Sequence, residues 1–311
     1  MNIFNLNSGF RIVYYHLVSN FTEKYHFSNI SISNFVRQIK YFKKNFHIIS
    51  LSEAIAKAKN NESLDGYMCI TTDDGFSENY TVVAPILLKL NVTATFFVIE
   101  NMLDNSDLMW RNKLLYIRNK FPNKLLNFSK KISDKFDYPY LSSTNNFFPW
   151  VDLYWNMDDC VEISNMYWSN CVDESLDSFL NRKKPYLTSQ EIKQLLKLGF
   201  EIGSHTSNHL FLDRVSSEDL VREVFESCKR LSDKFSYNID TISYPFGKRP
   251  LKKYEELLRS SQLLTCMLGI NSTFSNTLDP YCWDRDKMEY NSFFWSWLNF
   301  NFRPYYNRLR I

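Results

Sequence analysis

The six cysteines, at positions 69, 160, 171, 228, 266 and 282, form no C-x-x-C pair. In a chain of 311 residues that spacing argues against a disulfide framework and for reduced, largely buried thiols. No run of 18 or more apolar residues occurs, which excludes a membrane-spanning helix. The opening stretch, Met1 to Ser8, has neither a basic segment nor an unbroken apolar core, so it does not read as a secretory signal. A cytoplasmic setting is therefore expected. There is no Lys/Arg-rich run, and a net charge of +3 is too small to suggest a nucleic-acid partner. Histidine is scarce too: there are five, and none follows His209.

What is present is enough apolar material, 44% of residues, to bury a sizeable core, with an aromatic share of 17%. Strand-like and helix-like stretches alternate. Buried strands are expected at 11–16, 67–72, 94–99, 200–204, 241–244 and 264–268. Helices are expected at 31–45, with Ile32, Phe35, Ile39 and Phe42 on one face, and at 80–90 and 251–259. Ser50 with Glu53 and Thr188 with Glu191 read as capping boxes, and Ser216 with Asp219 starts a helix to about 235. Repeated strand–helix units imply a parallel sheet. Between about 100 and 187 the alternation fails. Trp110, Trp150, Trp155 and Trp168 fall there, with helical patches near 112–119 and 175–181, so a largely helical insertion is expected.

Two short stretches carry chemistry. Thr71-Thr72-Asp73-Asp74-Gly75 sets two adjacent carboxylates at the end of an apolar run, before a glycine that permits a sharp turn. His205-Thr206-Ser207-Asn208-His209 spaces two imidazoles one helical turn apart, so that both can face one point. Two imidazoles and one carboxylate suffice for a divalent transition metal, leaving positions for water and substrate. The other carboxylate is then free to act as a base. Zn²⁺ suits this set best, and Co²⁺ or Ni²⁺ can use it in octahedral form.

These stretches resemble the first two motifs of the polysaccharide deacetylases, the NodB-homology group or carbohydrate esterase family 4. Ser243-Tyr244-Pro245-Phe246-Gly247 is similar to the third motif, a Pro-aromatic-Gly loop, and all three occur in family order. The resemblance implies a distorted (β/α)7-type barrel as a single catalytic domain over 1–311. It implies a metal on Asp74, His205 and His209, Asp73 as general base, and Tyr244, Pro245, Phe246 and Gly247 around the substrate; the oxyanion is then expected on the metal and on a backbone N–H of that loop or its neighbours. The reaction implied is removal of N-acetyl from an amino sugar. With no secretory signal, the expected partner is an acetylated glycan or a lipid- or nucleotide-linked precursor.

Two departures from the pattern matter. Many relatives carry Arg two positions before the motif's Pro, orienting the base, where this chain has Ser243. Arg285 is the candidate replacement and Arg111 the reserve. The family's late histidine, its general acid, is also absent. His16, in Val13-Tyr14-Tyr15-His16, looks like the Tyr-His start of relatives whose N-terminal histidine takes that role, so it is assigned as acid over His26 and His47. The tail from about 287 mixes aromatics (Phe293, Phe294, Trp295, Trp297) with Arg303, Arg308 and Arg310. Packing on the barrel base is its favoured role, and peripheral contact with an anionic membrane face is the alternative. The same site also suits an O-acetyl ester, N-formyl or cyclic-imide substrate. A glycan-binding relative without activity is the competing class.

Overall fold

The computed structural model describes residues 9–270, 277–290 and 292–308. Its strands are β1 (Arg11–Tyr15), β2 (His47–Ile48), β3 (Tyr67–Thr72), β4 (Thr95–Val98), β5 (Glu201–Ser204), β6 (Thr241–Ser243), β7 (Cys266–Leu268) and β8 (Asp286–Lys287). Every pairing is parallel, in the order β7-β6-β5-β4-β3-β1-β8, with β2 beside β3. The two ends of this row meet at a single bridge between Gly269 and Asp284. There Gly269 N–H donates to Trp283 O and Arg285 N–H donates to Gly269 O, both at 3.0 Å. The ring of seven strands is thus a distorted barrel with one thin seam, as expected.

Met68 to Thr72 are buried without a break, the signature of a parallel strand with helices outside and side chains filling the interior. Helix Ile32–Asn45 buries Phe35, Ile39 and Phe42 against that barrel, and Ser31 Oγ accepts its Asn34 N–H. The Thr188–Glu191 capping box is complete, opening helix Ser189–Lys197. The Ser50–Glu53 box is only half made. Ser50 Oγ accepts Glu53 N–H, but the acidic partner of that helix end is Glu201 of β5, which takes the Leu51 and Ser52 N–H groups at 3.0 and 3.2 Å. A carboxylate from a neighbouring strand satisfies the helix dipole as well as a local one.

Between β4 and β5 lie helices Trp110–Lys120, Pro122–Phe136, Phe147–Tyr154, Cys160–Cys171 and Leu176–Lys183, the expected helical segment. Their core is aromatic, with Trp155 stacked on Tyr167 and Phe147 beside Trp150. The six cysteines are free and five are buried; Cys282 is exposed. Helix Phe293–Arg308 seats Phe300 against Phe42 and Phe46, and the Arg11 guanidinium stacks 3.8 Å from the Phe300 ring. Phe294 and Trp295 point outward. The side chains of Arg303 and Arg308, with all of Arg310 and of Met1 to Ser8, lie outside the described residues.

Candidate active site

The chemistry-bearing residues gather at the C-terminal ends of the strands, where a parallel barrel places the loops that can vary without disturbing its core. Asp73 follows β3 and is pinned by its N–H to Tyr15 O, 2.8 Å away. The chain then turns through left-handed conformations at Asp74 (φ 68°) and Gly75 (φ 67°). A Cβ on Gly75 would meet the Val98 side chain at 3.1 Å, so both the turn and the close approach call for glycine.

His205 and His209 do not lie on a helical turn, as their spacing had implied. They sit on a loop after β5 in which Thr206 (φ 68°) and His209 (φ 58°) are left-handed. Such residues cost about 1–3 kcal/mol each and persist where their surroundings hold them. The holding bonds are visible. His209 N–H donates to Thr206 Oγ1 (3.0 Å), Asn208 N–H to Glu223 Oε2 (2.8 Å), and Trp110 Nε1–H to His209 O (3.0 Å).

The loop brings three ligand atoms together. His205 Nε2 and His209 Nε2 are 3.1 Å apart, and Asp74 Oδ1 lies 3.5 and 3.4 Å from them. Donors about 2.0–2.1 Å from a tetrahedral metal are separated by about 3.3 Å, so the triangle has the size of a ligand face. Asp74 Oδ1 is buried with no hydrogen-bond partner, a costly state that a cation would relieve. The Ser243 carbonyl faces His205 Nδ1 at 2.9 Å, which puts the proton on Nδ1 and leaves Nε2 a lone pair. Burial lowers the pKa of both imidazoles, that of His209 strongly, so both are neutral at neutral pH, the form a metal requires. Burial likewise raises Asp74. The residues fit a divalent metal.

Asp73 is held differently. Burial alone would raise its pKa, yet the Arg285 guanidinium keeps it far below the usual carboxylate range. The pair is bidentate, with Nη1 to Oδ1 and Nη2 to Oδ2 both at 2.7 Å, and Arg285 is fully buried. Arg285 Nη1 also donates to Thr71 Oγ1 at 3.1 Å, and its charge lies 4.8 Å from the Tyr14 ring centre. Ser243, in the place of the family's arginine, bridges the two halves of the site. Its Oγ lies 3.3 Å from Asp73 Oδ1 and 2.6 Å from His205 Nδ1. Arg111, the reserve, lines the pocket but does not hold Asp73: it pairs with Asp152 and sits among the rings of Phe27, Phe148 and Phe246.

His16 lines the same pocket as Asp73, Asp74, His205 and His209. Its Nδ1 lies 2.8 Å from Glu289 Oε2. Burial pulls its pKa down, but the Glu289 carboxylate outweighs this and raises it to about 9. Glu289 was not singled out from the sequence. It is fully buried and also accepts the N–H groups of His16 (2.7 Å) and Leu17 (3.0 Å) and the Ser28 hydroxyl (3.1 Å). β8, which delivers it, has only two residues, too few to show a strand period. His26 lines the pocket as well, whereas His47 is exposed on β2 beside Tyr67.

The Pro-aromatic-Gly loop is partly as expected. Tyr244, Phe246 and Gly247 line the pocket, but Pro245 is buried and does not. Phe246 stacks on Phe211 at 4.1 Å and packs on His209 at 4.4 Å. A Cβ on Gly247 would lie 1.8 Å from the Ile270 side chain. The Gly247 N–H is committed to Tyr244 O (2.9 Å) and the Tyr244 N–H to Leu268 O (3.0 Å). Proline has no N–H, so among Tyr244 to Gly247 the Phe246 amide is the one not bonded in this way.

The sequence model described as Polysaccharide deacetylase matches residues 60–148 and 158–263. The chain belongs to the polysaccharide deacetylase family. The match includes Asp73, Asp74, His205, His209 and the Tyr244–Gly247 loop, and leaves His16, Arg285 and Glu289 outside it. A Bacillus subtilis (strain 168) protein, YxkH, named as a polysaccharide deacetylase, is 28% identical over 107 residues. That alignment covers 34% of this chain and 35% of the relative, so the chain matches about a third of that relative's length. Among solved structures, IcaB from Ammonifex degensii superposes with a TM-score of 0.60 at 14% identity, covering 97% of both chains. The Streptococcus pyogenes deacetylase PplD, solved with acetate, gives 0.57 at 16% identity, covering 90% of this chain and 92% of that one. At such identities the likeness is one of fold.

Proposed function

We propose that this family member removes the N-acetyl group from an amino sugar of a glycan or glycan precursor, using one divalent metal, Zn²⁺ before Co²⁺ or Ni²⁺. The observation that carries the reading is the buried triangle of Asp74 Oδ1, His205 Nε2 and His209 Nε2, beside a second carboxylate kept ionised by a buried arginine. When bound there, the metal supplies Lewis acidity toward the acetyl carbonyl and toward a water. Asp73, ionised through Arg285, takes the proton of the attacking water. Arg285 is a positioning residue that fixes both carboxylate oxygens. Negative charge developing on the carbonyl oxygen is met by the Phe246 N–H. His16, kept protonated by Glu289 up to about pH 9, gives a proton to the departing amine nitrogen.

The lack of an arginine at position 243 favours a relative that binds glycan without turnover. The bidentate Arg285–Asp73 pair supports turnover instead, since it places a cation on the base. No helix among the described residues is long and apolar enough to cross a membrane. A cytoplasmic glycan precursor is part of the same proposal. The test measures metal content together with acetate released from N-acetylglucosamine oligomers and from O-acetylated analogues. Zinc-dependent release from the amide is expected. A folded protein that takes up no divalent metal and frees no acetate overturns the reading.

A further inference from the structure

His26 and Asn112 lie outside the machinery described above, yet both line its pocket. His26 is 7% exposed and Asn112 1% exposed. Neither nitrogen of the His26 ring has a hydrogen-bond partner, and neither does Asn112 Nδ2. An unpartnered buried polar group costs about 1–3 kcal/mol, and one in a pocket wall is placed to be satisfied by a ligand or by water. The two arrive from different elements. His26 sits on the loop after β1, its ring edge-on to Phe76 at 4.6 Å. Asn112 sits in the first turn of helix Trp110–Lys120. The elements are tied together by Asn119 Nδ2–H to Lys24 O (2.8 Å). Next to His26, Phe27 lines the pocket with half its surface exposed, facing Phe148 at 5.2 Å between ring centres.

We infer that His26 and Asn112 form a subsite that reads hydroxyl groups of the sugar whose acyl group is presented to the Asp–His cluster. The chemistry points to neutral hydroxyls. Burial lowers the His26 pKa to about 4, so its ring is neutral and offers one donor and one acceptor. A hydroxyl is likewise both. The Asn112 amide adds N–H donors, and the exposed Phe27 ring offers an apolar face for the C–H side of a pyranose. This inference rests on the proposed function in taking an amino sugar as ligand.

The test is binding of N-acetylglucosamine trimer, by calorimetry, to zinc-loaded Asp73→Asn protein, with His26→Phe or Asn112→Leu added. Each is expected to raise the dissociation constant about five- to tenfold, the worth of one net hydrogen bond. His26→Gln, which keeps a donor and an acceptor, is expected to stay within about threefold. With Asp73 intact, hydrolysis of 4-nitrophenyl acetate, which has no sugar hydroxyls, is expected to be unchanged by His26→Phe and Asn112→Leu. His26→Phe is also expected to leave thermal stability equal or higher, because it removes two unpartnered atoms; a structural role would lower it. Unchanged trimer affinity, no trimer binding at all, or an equal loss on the aryl ester overturns the inference. Variant-sensitive trimer binding by a protein that releases no acetate upholds the subsite and removes the deacetylase reading.

Discussion

The strand ends of the barrel and the helical segment between β4 and β5 treat buried polar atoms in opposite ways. At the strand ends, Asp74 Oδ1, His209 Nδ1 and both His26 nitrogens are buried without partners. In the helical segment the tryptophan N–H groups are mostly satisfied. Trp150 Nε1 donates to Pro139 O (2.6 Å), Trp168 Nε1 to Glu174 O (3.0 Å) and Trp110 Nε1 to His209 O (3.0 Å), while Trp155 Nε1 is the exception. The contrast separates a surface held ready for ligand from a packing layer. Only the first turn of the segment, Met109, Arg111 and Asn112, reaches the pocket. The segment therefore acts on the site through a few residues, chiefly by gripping the His209 carbonyl.

The strongest way to break this contrast is at the triangle. His205→Ala or His209→Ala is expected to abolish stoichiometric metal and to lower turnover by ~1,000-fold or more, since several kcal/mol of transition-state stabilisation are lost. Metal analysis alongside acetate release checks it, and retained metal would show that the triangle is not the ligand set. Asp73→Asn comes next. It is expected to keep the metal and lose about 100- to 10,000-fold in rate. A rate within a few-fold of the parent would remove Asp73 as base.

Third is the His16–Glu289 pair. The folded pKa of His16, about 9, lies above its ordinary 6.5. The pair's contribution to stability is therefore complete below pH 6.5 and is lost as pH rises through about 9. The alkaline limb of the rate profile is expected near pH 9. Glu289→Gln is expected to move that limb down to about 6.5, with roughly thirtyfold lower rate at pH 8. A limb that does not move would detach Glu289 from proton donation.

The smallest effects sharpen the comparison inside the helical segment. Trp110→Phe removes the donor to His209 O and is expected to cost about 1 kcal/mol beyond the packing loss, with a several-fold weaker hold on metal. Trp155→Phe removes an unpartnered N–H and is expected to cost less in melting experiments and nothing in metal affinity. Equal effects of the two on metal affinity would mean that the segment does not grip the site through Trp110.

Asp73, Asp74, Gly75, His205 and His209 were legible because each motif is a few consecutive residues whose types limit the chemistry. Their local shape was less so. His205 and His209 converge through left-handed turns at Thr206 and His209 that spacing cannot reveal. Arg285 was a candidate only through resemblance to relatives with the Tyr-Pro-Phe-Gly form, which often place an arginine after the last strands, and its partner Asp73 lies 212 residues earlier.

The sequence alone determined the alternation of apolar strands and amphipathic helices, hence a parallel sheet, and the residue types at its strand ends, because these depend on local period and side-chain chemistry. Only the tertiary structure decided what meets across the seam. It closed the ring at Gly269 and Asp284, set Glu289 on His16 across 273 residues, and brought the Arg285 guanidinium onto both oxygens of Asp73. Electrostatic partners are chosen by distance in space, and a folded chain brings together groups that no local pattern connects.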